Sequence, residues 1–167
     1  DGPNGFNSYP LGQYANADSS AGDPCVIAED DKNRDYKMGV MANETVLGQT
    51  FSKQLAQEWG KVIGNYSLWA NTTIFWGAGT NLHRVPYNAR NHEYYSEDAV
   101  LTAGQGSAFI AAGQSYGTII APKHLACNDT EINRTGIAEF MSEQAMRENE
   151  LRGTQDCIEE AGALGVM

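Results

Sequence analysis

The feature that most constrains the fold is the alternation of short apolar runs with longer segments of helical periodicity. Residues 72–76 (Thr-Thr-Ile-Phe-Trp) and residues 118–122 (Thr-Ile-Ile-Ala-Pro) are rich in β-branched or aromatic side chains. Such runs are typical of buried strands, and glycines after the first run and before the second mark the turns. Helical segments lie between and around the two runs, which predicts strand–helix–strand units, a parallel sheet and the α/β class.

The helix ahead of the first run is predicted from Thr45 onward. Its apolar side chains recur at spacings of three or four, so they form one stripe along a helix. Asn43 or Thr45 has a side chain suited to cap the first turn. The stripe consists of Phe51, Leu55, Trp59, Val62 or Ile63, and Tyr66.

The same criteria predict two further helices and a third strand. One helix is predicted over residues 98–115 and another over residues 142–161, with the hydroxyl of Ser142 as its cap. Residues 164–167 are apolar and are predicted to begin a third strand. Residues 1–42 are rich in Gly, Pro, Asn, Ser and Asp, so we expect them to be irregular.

Polar side chains are concentrated directly after each predicted strand. Residues 81–98 and residues 123–134 combine cationic, imidazole, amide and carboxylate groups at a density that is unusual for connecting loops. The C-terminal ends of parallel strands meet at one edge of a sheet, where α/β folds build their sites. Two interpretations stay open for these loops. Either their charges pair with one another, with Arg90 held by Glu93 or Glu97, or they form a binding site.

Recognition of a polyhydroxyl ligand would explain this mixture of groups. Sugar hydroxyls both donate and accept hydrogen bonds, so their site needs charged donors and carboxylate acceptors fixed on rigid elements. Lys123 and His124 would supply such donors at a strand end. Because side chains alternate along an extended segment, both can face one site only if the backbone bends there.

The charge pattern argues against two classes of partner. The chain has 11 Lys and Arg residues against 21 Asp and Glu residues, a formal charge of −10, and the basic residues are scattered. We therefore expect neither nucleic acid nor an anionic membrane as a partner. No run approaches the roughly 18 apolar residues of a membrane span. The compartment cannot be inferred from this sequence.

Motif searches exclude several kinds of site. The sequence contains no GxxxxGK[ST], no GxGxxG after a strand, no HExxH and no GxSxG, which disfavours nucleotide, zinc-protease and serine-hydrolase chemistry. The three cysteines form no CxxC pair, so we expect free thiols. His124 and Cys127 form an HxxC pair without two further suitable ligands, and neither a metal nor another cofactor is predicted.

Four blocks of this sequence, in this order, resemble glycoside hydrolase family 3. They are Asp1-Gly-Pro-Asn-Gly5; residues 79–86 with Ala89-Arg-Asn-His-Glu-Tyr-Tyr-Ser-Glu-Asp98; Lys123-His-Leu-Ala-Cys-Asn-Asp through Arg134; and Ser142-Glu-Gln-Ala-Met-Arg147. The resemblance implies a partial (β/α)8 TIM-type barrel with parallel strands. It also implies that residues 1–167 belong to the N-terminal barrel domain, with the rest of the barrel and a following α/β sandwich domain absent from this chain.

The resemblance assigns substrate-binding roles to five residues. It implies that Asp1, Arg90, Lys123 and His124 hold the hydroxyls of a terminal sugar, and that Arg134 lines the same pocket. The match is not complete, because Asn7 stands where some members have an arginine and Ala89 stands where a glycine is usual. Asn128 stands where the N-acetylglucosaminidase branch has a second histidine, which favours a glucosidase or xylosidase.

The catalytic residues proper are expected outside this chain. Retaining glycoside hydrolysis needs a carboxylate nucleophile and a second carboxyl group roughly 5 Å away. The resemblance implies that the nucleophile, an Asp, and the acid/base, a Glu, both lie beyond Met167. Four carboxylates here are expected only to support the binding loops, namely Glu93, Asp98, Asp129 and Glu131.

The function implied for the parent enzyme is retaining hydrolysis of terminal, non-reducing β-D-glucosyl residues. This chain would supply the sugar-binding wall and would be inactive alone. Its expected partners are a β-linked glucoside or oligosaccharide and the remainder of the parent chain. The alternatives are β-xylosidase specificity and a non-catalytic, sugar-binding or structural remnant of the same fold.

Overall fold

The computed structural model describes residues 41–69 and 72–167, which form helices packed against two parallel strands. The elements follow the order α1 Glu44–Gly48, α2 Lys53–Trp69, β1 Ile74–Gly79, a 3-10 helix Asn91–Glu93, α3 Ala99–Gln114, β2 Ile119–Lys123, α4 Glu143–Ala145, a π turn Met146–Glu150, and α5 Arg152–Glu159. Both predicted strands and the helix between them are therefore confirmed.

The sheet brings the ends of β1 and β2 together. Ile74 pairs with Ile119, and the register shifts between Trp76 and Gly79, so that Gly79 lies opposite Lys123. β1 was expected to stop at Trp76, but it continues through Gly79 because the three residues after Trp76 are small and buried. The loops that follow the two strands consequently start side by side.

The predicted first helix is broken into two. Asn43 caps α1, as one of the two expected caps, by accepting from the backbone N–H of Val46 at 3.1 Å. The chain then turns at Phe51, which has a φ of 53° and is 77% exposed. Leu55 is also exposed, so the predicted stripe is wrong for these two side chains.

Small residues explain why the buried face of α2 differs from the predicted apolar stripe. Ala56, Gly60, Ile63 and Gly64 are buried, whereas Trp59 is only half-buried. A Cβ added at Gly60 would overlap the carbonyl oxygen of Phe109 in α3. The two helix backbones therefore approach closely, and contact through glycines replaces contact through the largest apolar side chains.

The core lies between these helices and the sheet. It is a cluster to which both strands and the helices α1, α2, α3 and α5 contribute, with tilted aromatic contact between β1 and α3 at a ring-centroid separation of 6.3 Å. Its fully buried members are Leu47, Ala56, Ile63, Phe75, Ala78, Tyr95, Phe109, Ile110, Ile120 and Cys157. This packing holds β1 and β2 rigidly beneath their C-terminal loops.

The C-terminal predictions need two corrections. Ser142 caps α4 as expected, accepting from Ala145 N, but a π turn divides the predicted helix before α5 begins. In the divided helix Thr154 is buried and its hydroxyl lies 2.9 Å from that of Thr80, just past β1. Residues 164–167 are not a regular strand, although Met167 forms backbone hydrogen bonds with Pro122 and Leu125 beside β2.

Within the two described stretches, none of the helices combines the length and apolar character that a membrane span requires.

The close contact between α2 and α3 can be tested with a pair of glycine variants. Gly60→Ala should lower the free energy of unfolding by about 1–3 kcal/mol, because the added methyl group must displace the backbone of Phe109. In Gly104→Ala the atom nearest to the added methyl group is Cε of Lys53 at 2.7 Å. This atom is at the flexible end of an exposed side chain, which can move aside. Both sites are in helices, so intrinsic helix propensity favours alanine equally.

Denaturant and thermal unfolding of the two variants provide the comparison. Gly104→Ala should match or slightly exceed the stability of the unsubstituted protein. Equal stability of Gly60→Ala and Gly104→Ala would contradict the close backbone approach.

Candidate functional site

The loops after β1 and β2 are joined by hydrogen bonds at their bases. Thr80 N donates to the carbonyl oxygen of Lys123 at 2.6 Å, and His124 N donates to Oδ1 of Asn81 at 2.9 Å. Farther out, Nδ2 of Asn88 donates to the carbonyl oxygen of Asn128 at 2.8 Å. The two polar segments of the sequence therefore form one continuous surface at the C-terminal edge of the sheet.

Glu93 is the centre of the charged groups on this surface. Its Oε2 lies 3.0 Å from Nζ of Lys123, and its Oε1 accepts from Nε of Arg90. Burial alone would raise the pKa of Glu93, but hydrogen bonds from Arg90 and Lys123 outweigh burial and lower it. Glu93 is thus an ionised carboxylate that holds two cations in fixed positions.

Glu131 extends the cluster to the second loop. Its Oε1 lies 3.7 Å from NH1 of Arg90 and accepts from Nδ2 of Asn128 at 3.1 Å. Its Oε2 accepts from NH1 of Arg134 at 2.9 Å. Three cations therefore share two carboxylates, so the cluster does not carry the negative charge of the chain as a whole.

His124 adjoins this cluster through Tyr94. The Tyr94 hydroxyl lies 3.0 Å from Nδ1 of His124 and accepts from Nδ2 of Asn128 at 3.0 Å. Burial, with the positive charges of Arg90 and Lys123, lowers the pKa of His124 to about 4. Burial raises the pKa of Tyr94 to about 12.

These values make both members of the pair uncharged near neutral pH. His124 is neutral and Tyr94 is protonated, and the tautomer of His124 decides which of the two donates across this contact. A neutral imidazole has one donor and one acceptor nitrogen. His124 therefore offers a ligand an uncharged hydrogen-bonding group at Nε2.

The 3-10 helix that carries Glu93 is held by two further side chains. Nε2 of His83 and Oγ1 of Thr45 each lie 2.9 Å from the carbonyl oxygens of Asn91 and Tyr94. One contact comes from the loop after β1 and the other from α1. The position of Glu93 is consequently fixed by two separate parts of the chain.

The family model of the glycosyl hydrolase family 3 N-terminal domain matches residues 12–167. The chain belongs to glycoside hydrolase family 3. It is 35% identical over 127 residues to a β-glucosidase of Ruminococcus albus, covering 76% of this chain and 13% of that protein. It is 30% identical over 166 residues to the probable β-glucosidase J of Emericella nidulans, covering 98% of this chain and 17% of that protein.

The fold of this chain matches part of a solved structure, that of β-glucosidase 3B from Thermotoga neapolitana in complex with α-D-glucose. It superposes with a TM-score of 0.84 at 30% identity, over 100% of this chain and 21% of that chain. The fold predicted from the family 3 resemblance, a partial (β/α)8 barrel with parallel strands, is confirmed. The chain spans only about a fifth or less of the relatives it matches.

Four of the five residues assigned from the family 3 resemblance lie in one cluster. Arg90, Lys123, His124 and Arg134 are linked through Glu93, Tyr94 and Glu131, and their role in substrate binding stays a prediction. Asp1 lies outside the described residues. The strand β2 ends at Lys123, and the register against β1 shifts between Trp76 and Gly79, so an irregularity of the sheet lies beside Lys123.

Both interpretations of the polar loops describe part of what the structure contains. Arg90 pairs with Glu93, which was one of the two partners offered for a salt-bridged loop. The same pairing presents Arg90 and Lys123 together at the strand ends, as a binding site requires. The ion pairs and the candidate family 3 site are therefore the same set of groups.

Three of the four carboxylates that were expected to be supporting groups hold a neighbouring group, and Asp129 is the exception, with its buried Oδ1 unpartnered within the described part of the chain. Asp98 caps α3 by accepting from Leu101 N at 2.7 Å, and Glu93 and Glu131 hold cations. Asp129 is buried, and burial raises its pKa. Among residues 41–69 and 72–167, no group of three or more His, Cys, Asp and Glu side chains is placed to hold a metal ion.

Sequence reasoning missed the groups that hold the site from behind. Tyr94 and Asn81 lay within the polar loop but were assigned no role, and Thr45 was considered only as a cap. Glu44 is fully buried although it follows a cap residue, where a solvent-exposed carboxylate is usual. The sequence gives no local signal for these roles, because each role depends on a contact between segments that are far apart along the chain.

The neutral state of His124 can be measured by histidine-selective NMR. We expect its ring to titrate at about 4, below the ordinary value of 6.5, because burial and two cations oppose its protonation. The unfolded chain then binds more protons between these values, so this residue lowers stability as the pH falls from about 6.5 to about 4.

Loss of the resonance in His124→Gln assigns the signal, and the same ring in denaturant gives the unfolded reference. A folded-state titration near 6.5 would show that the ring is solvated and not enclosed by Arg90, Lys123 and Tyr94.

Proposed function

We propose that the protein to which this chain belongs is a retaining β-glucosidase, and that this segment binds the terminal sugar. The observation that carries the proposal is the convergence of Arg90, Lys123, His124 and Arg134 on one surface at the strand ends. Relatives along most or all of the chain are β-glucosidases, and one of the solved structures contains glucose. Family membership supplies the reaction class, and the cluster supplies the binding groups.

The ion pairs leave donors free for a ligand. A lysine ammonium has three N–H donors, and the contact with Glu93 uses one of those on Lys123. An arginine guanidinium has five N–H donors, more than the contacts with Glu93 and Glu131 require of Arg90. Charge-assisted hydrogen bonds to hydroxyl groups are then available from side chains whose orientation is already fixed.

A neutral, hydroxyl-rich ligand suits the mixed charge of the cluster. The carboxylate oxygens of Glu93 and Glu131 can accept from the same hydroxyls that the cations donate to, while His124 adds an uncharged hydrogen-bonding group. A free anion would meet these two carboxylates, and a free cation would meet Arg90 and Lys123. Sugar hydroxyls avoid both penalties because they donate and accept.

The chemical step is proposed to use carboxylates beyond Met167. A retaining mechanism needs a nucleophilic carboxylate and an acid/base carboxyl group about 5–5.5 Å apart. Glu93 and Glu131 are engaged with cations, which makes them poor nucleophiles. We propose that residues 1–167 are part of the N-terminal barrel domain, and that later segments complete the barrel and add the α/β sandwich domain.

The first test is hydrolysis of p-nitrophenyl β-glucoside by the full-length protein and by Lys123→Met. The substitution removes charged hydrogen bonds, each worth about 1.5–3 kcal/mol, so kcat/KM should fall by about 10- to 150-fold for each bond lost. Lys61→Met is the matched control, since Lys61 pairs with Glu58 and the two side chains are 49% and 58% exposed.

Two controls decide which part of the proposal holds. The isolated 167-residue chain should show no turnover, because it lacks the proposed catalytic carboxylates. Hydrolysis of p-nitrophenyl β-xyloside in preference to the glucoside would indicate xylosidase specificity. No hydrolysis of any common β-glycoside by the folded full-length protein would leave a non-catalytic sugar-binding or structural role.

A further inference from the structure

Glu44 is a buried carboxyl group that the proposed mechanism does not use. It is 1% exposed at the first position of α1, and its Oε2 accepts from the backbone N–H of Gly79 at 2.6 Å. The two residues are 35 positions apart in the sequence. A carboxyl group buried this deeply has a large desolvation cost, so its retention calls for a specific interaction.

The N–H that Glu44 satisfies lies at the irregular point of the sheet. The register of β1 against β2 shifts between Trp76 and Gly79, and Gly79 then lies opposite Lys123. A buried N–H that is left without a partner costs about 1–3 kcal/mol. Glu44 thereby stabilises the particular backbone path that places the end of β1 beside Lys123.

The end of β1 in turn holds the backbone of Lys123. Thr80, directly after Gly79, donates to the carbonyl oxygen of Lys123 through its N–H at 2.6 Å and through its hydroxyl at 3.3 Å. A short chain of contacts therefore runs from the Glu44 carboxyl through Gly79 and Thr80 to Lys123. Each of these residues is buried.

The Glu44 carboxyl also interacts electrostatically with the charged groups of the site. Burial raises its pKa well above the usual value; Lys123 acts to lower the pKa and Glu93 to raise it. Gly79 allows the close approach, because a Cβ there would lie 2.7 Å from Oε2 of Glu44 and would overlap the carbonyl oxygen of Glu93. The carboxyl is thus close enough to both members of the Lys123–Glu93 ion pair to interact with their charges.

We infer that Glu44 is a positioning residue for substrate binding, which sets the location of the Lys123 ammonium group through the end of β1. This inference rests on the proposed function. Glu44 does not contact the substrate. Glu44 affects sugar binding only through the position of Lys123. A residue that merely stabilised the fold would not depend on Lys123 in this way.

The test compares Glu44→Ala with Glu44→Gln in the full-length protein. Glutamine keeps an oxygen that can accept from Gly79 N, so kcat/KM for p-nitrophenyl β-glucoside should stay within about threefold of the unsubstituted enzyme. Alanine removes the acceptor, and kcat/KM should fall by about tenfold, mainly through a higher KM. Glu44→Asp, which withdraws the acceptor by one methylene, takes the place of Glu44→Ala if the alanine variant does not fold.

A double-mutant cycle tests the route through Lys123. In the Lys123→Met background, Glu44→Ala should lower kcat/KM by less than about twofold, because the group that it positions is gone. An equal loss in both backgrounds, or no loss in either, overturns the inference. Inactivity of the unsubstituted full-length enzyme on every β-glycoside is a different result, since it refutes the proposed function itself.

Discussion

The candidate site depends on one buried interaction, the carboxylate of Glu93 between Arg90 and Lys123. Removing the Glu93 carboxylate would leave the buried ammonium group of Lys123 without its partner, a change that costs about 3–5 kcal/mol in buried ion pairs. The positions of both cations therefore depend on Glu93. Glu93 has one oxygen for each cation, so the two donors are held apart at a fixed spacing before any ligand arrives. A ligand that uses them pays little to order their long side chains.

The rest of the fold can be understood as support for that carboxylate and its partners. Helix α2 packs through glycines against α3, which fixes the sheet below. His83 and Thr45 hold the 3-10 helix that carries Glu93, and Thr80 holds the backbone of Lys123. These contacts come from segments far apart in the sequence. The donors are thus placed by rigid elements, which is the arrangement that precise recognition of hydroxyl groups requires.

Local patterns were sufficient for both strands, for helix α3 and for the location of the polar loops, but not for the breaks in the other helices or for residues 164–167. The β-branched runs identified both strands, and Asn43 and Ser142 cap helices as expected. Asp98 was expected only as a supporting carboxylate, and its role as the cap of α3 was not predicted. The stripe on α2 was wrong at Phe51 and Leu55, because glycine-mediated helix contact is a tertiary effect that apolar periodicity does not register. The role of Glu44 was invisible for the same reason. Its partner, Gly79, is near only in the folded chain.

The central claim is that Arg90, Lys123, His124 and Arg134 form the wall of a sugar-binding pocket. The most direct measurement is a crystal structure of the full-length protein with bound glucose. The account predicts hydroxyl oxygens of one glucose within hydrogen-bond distance, about 2.7–3.2 Å, of Nζ of Lys123, Nε2 of His124 and the guanidinium of Arg90. Glucose bound at another surface, with the Glu93 cluster intact and unoccupied, would contradict it.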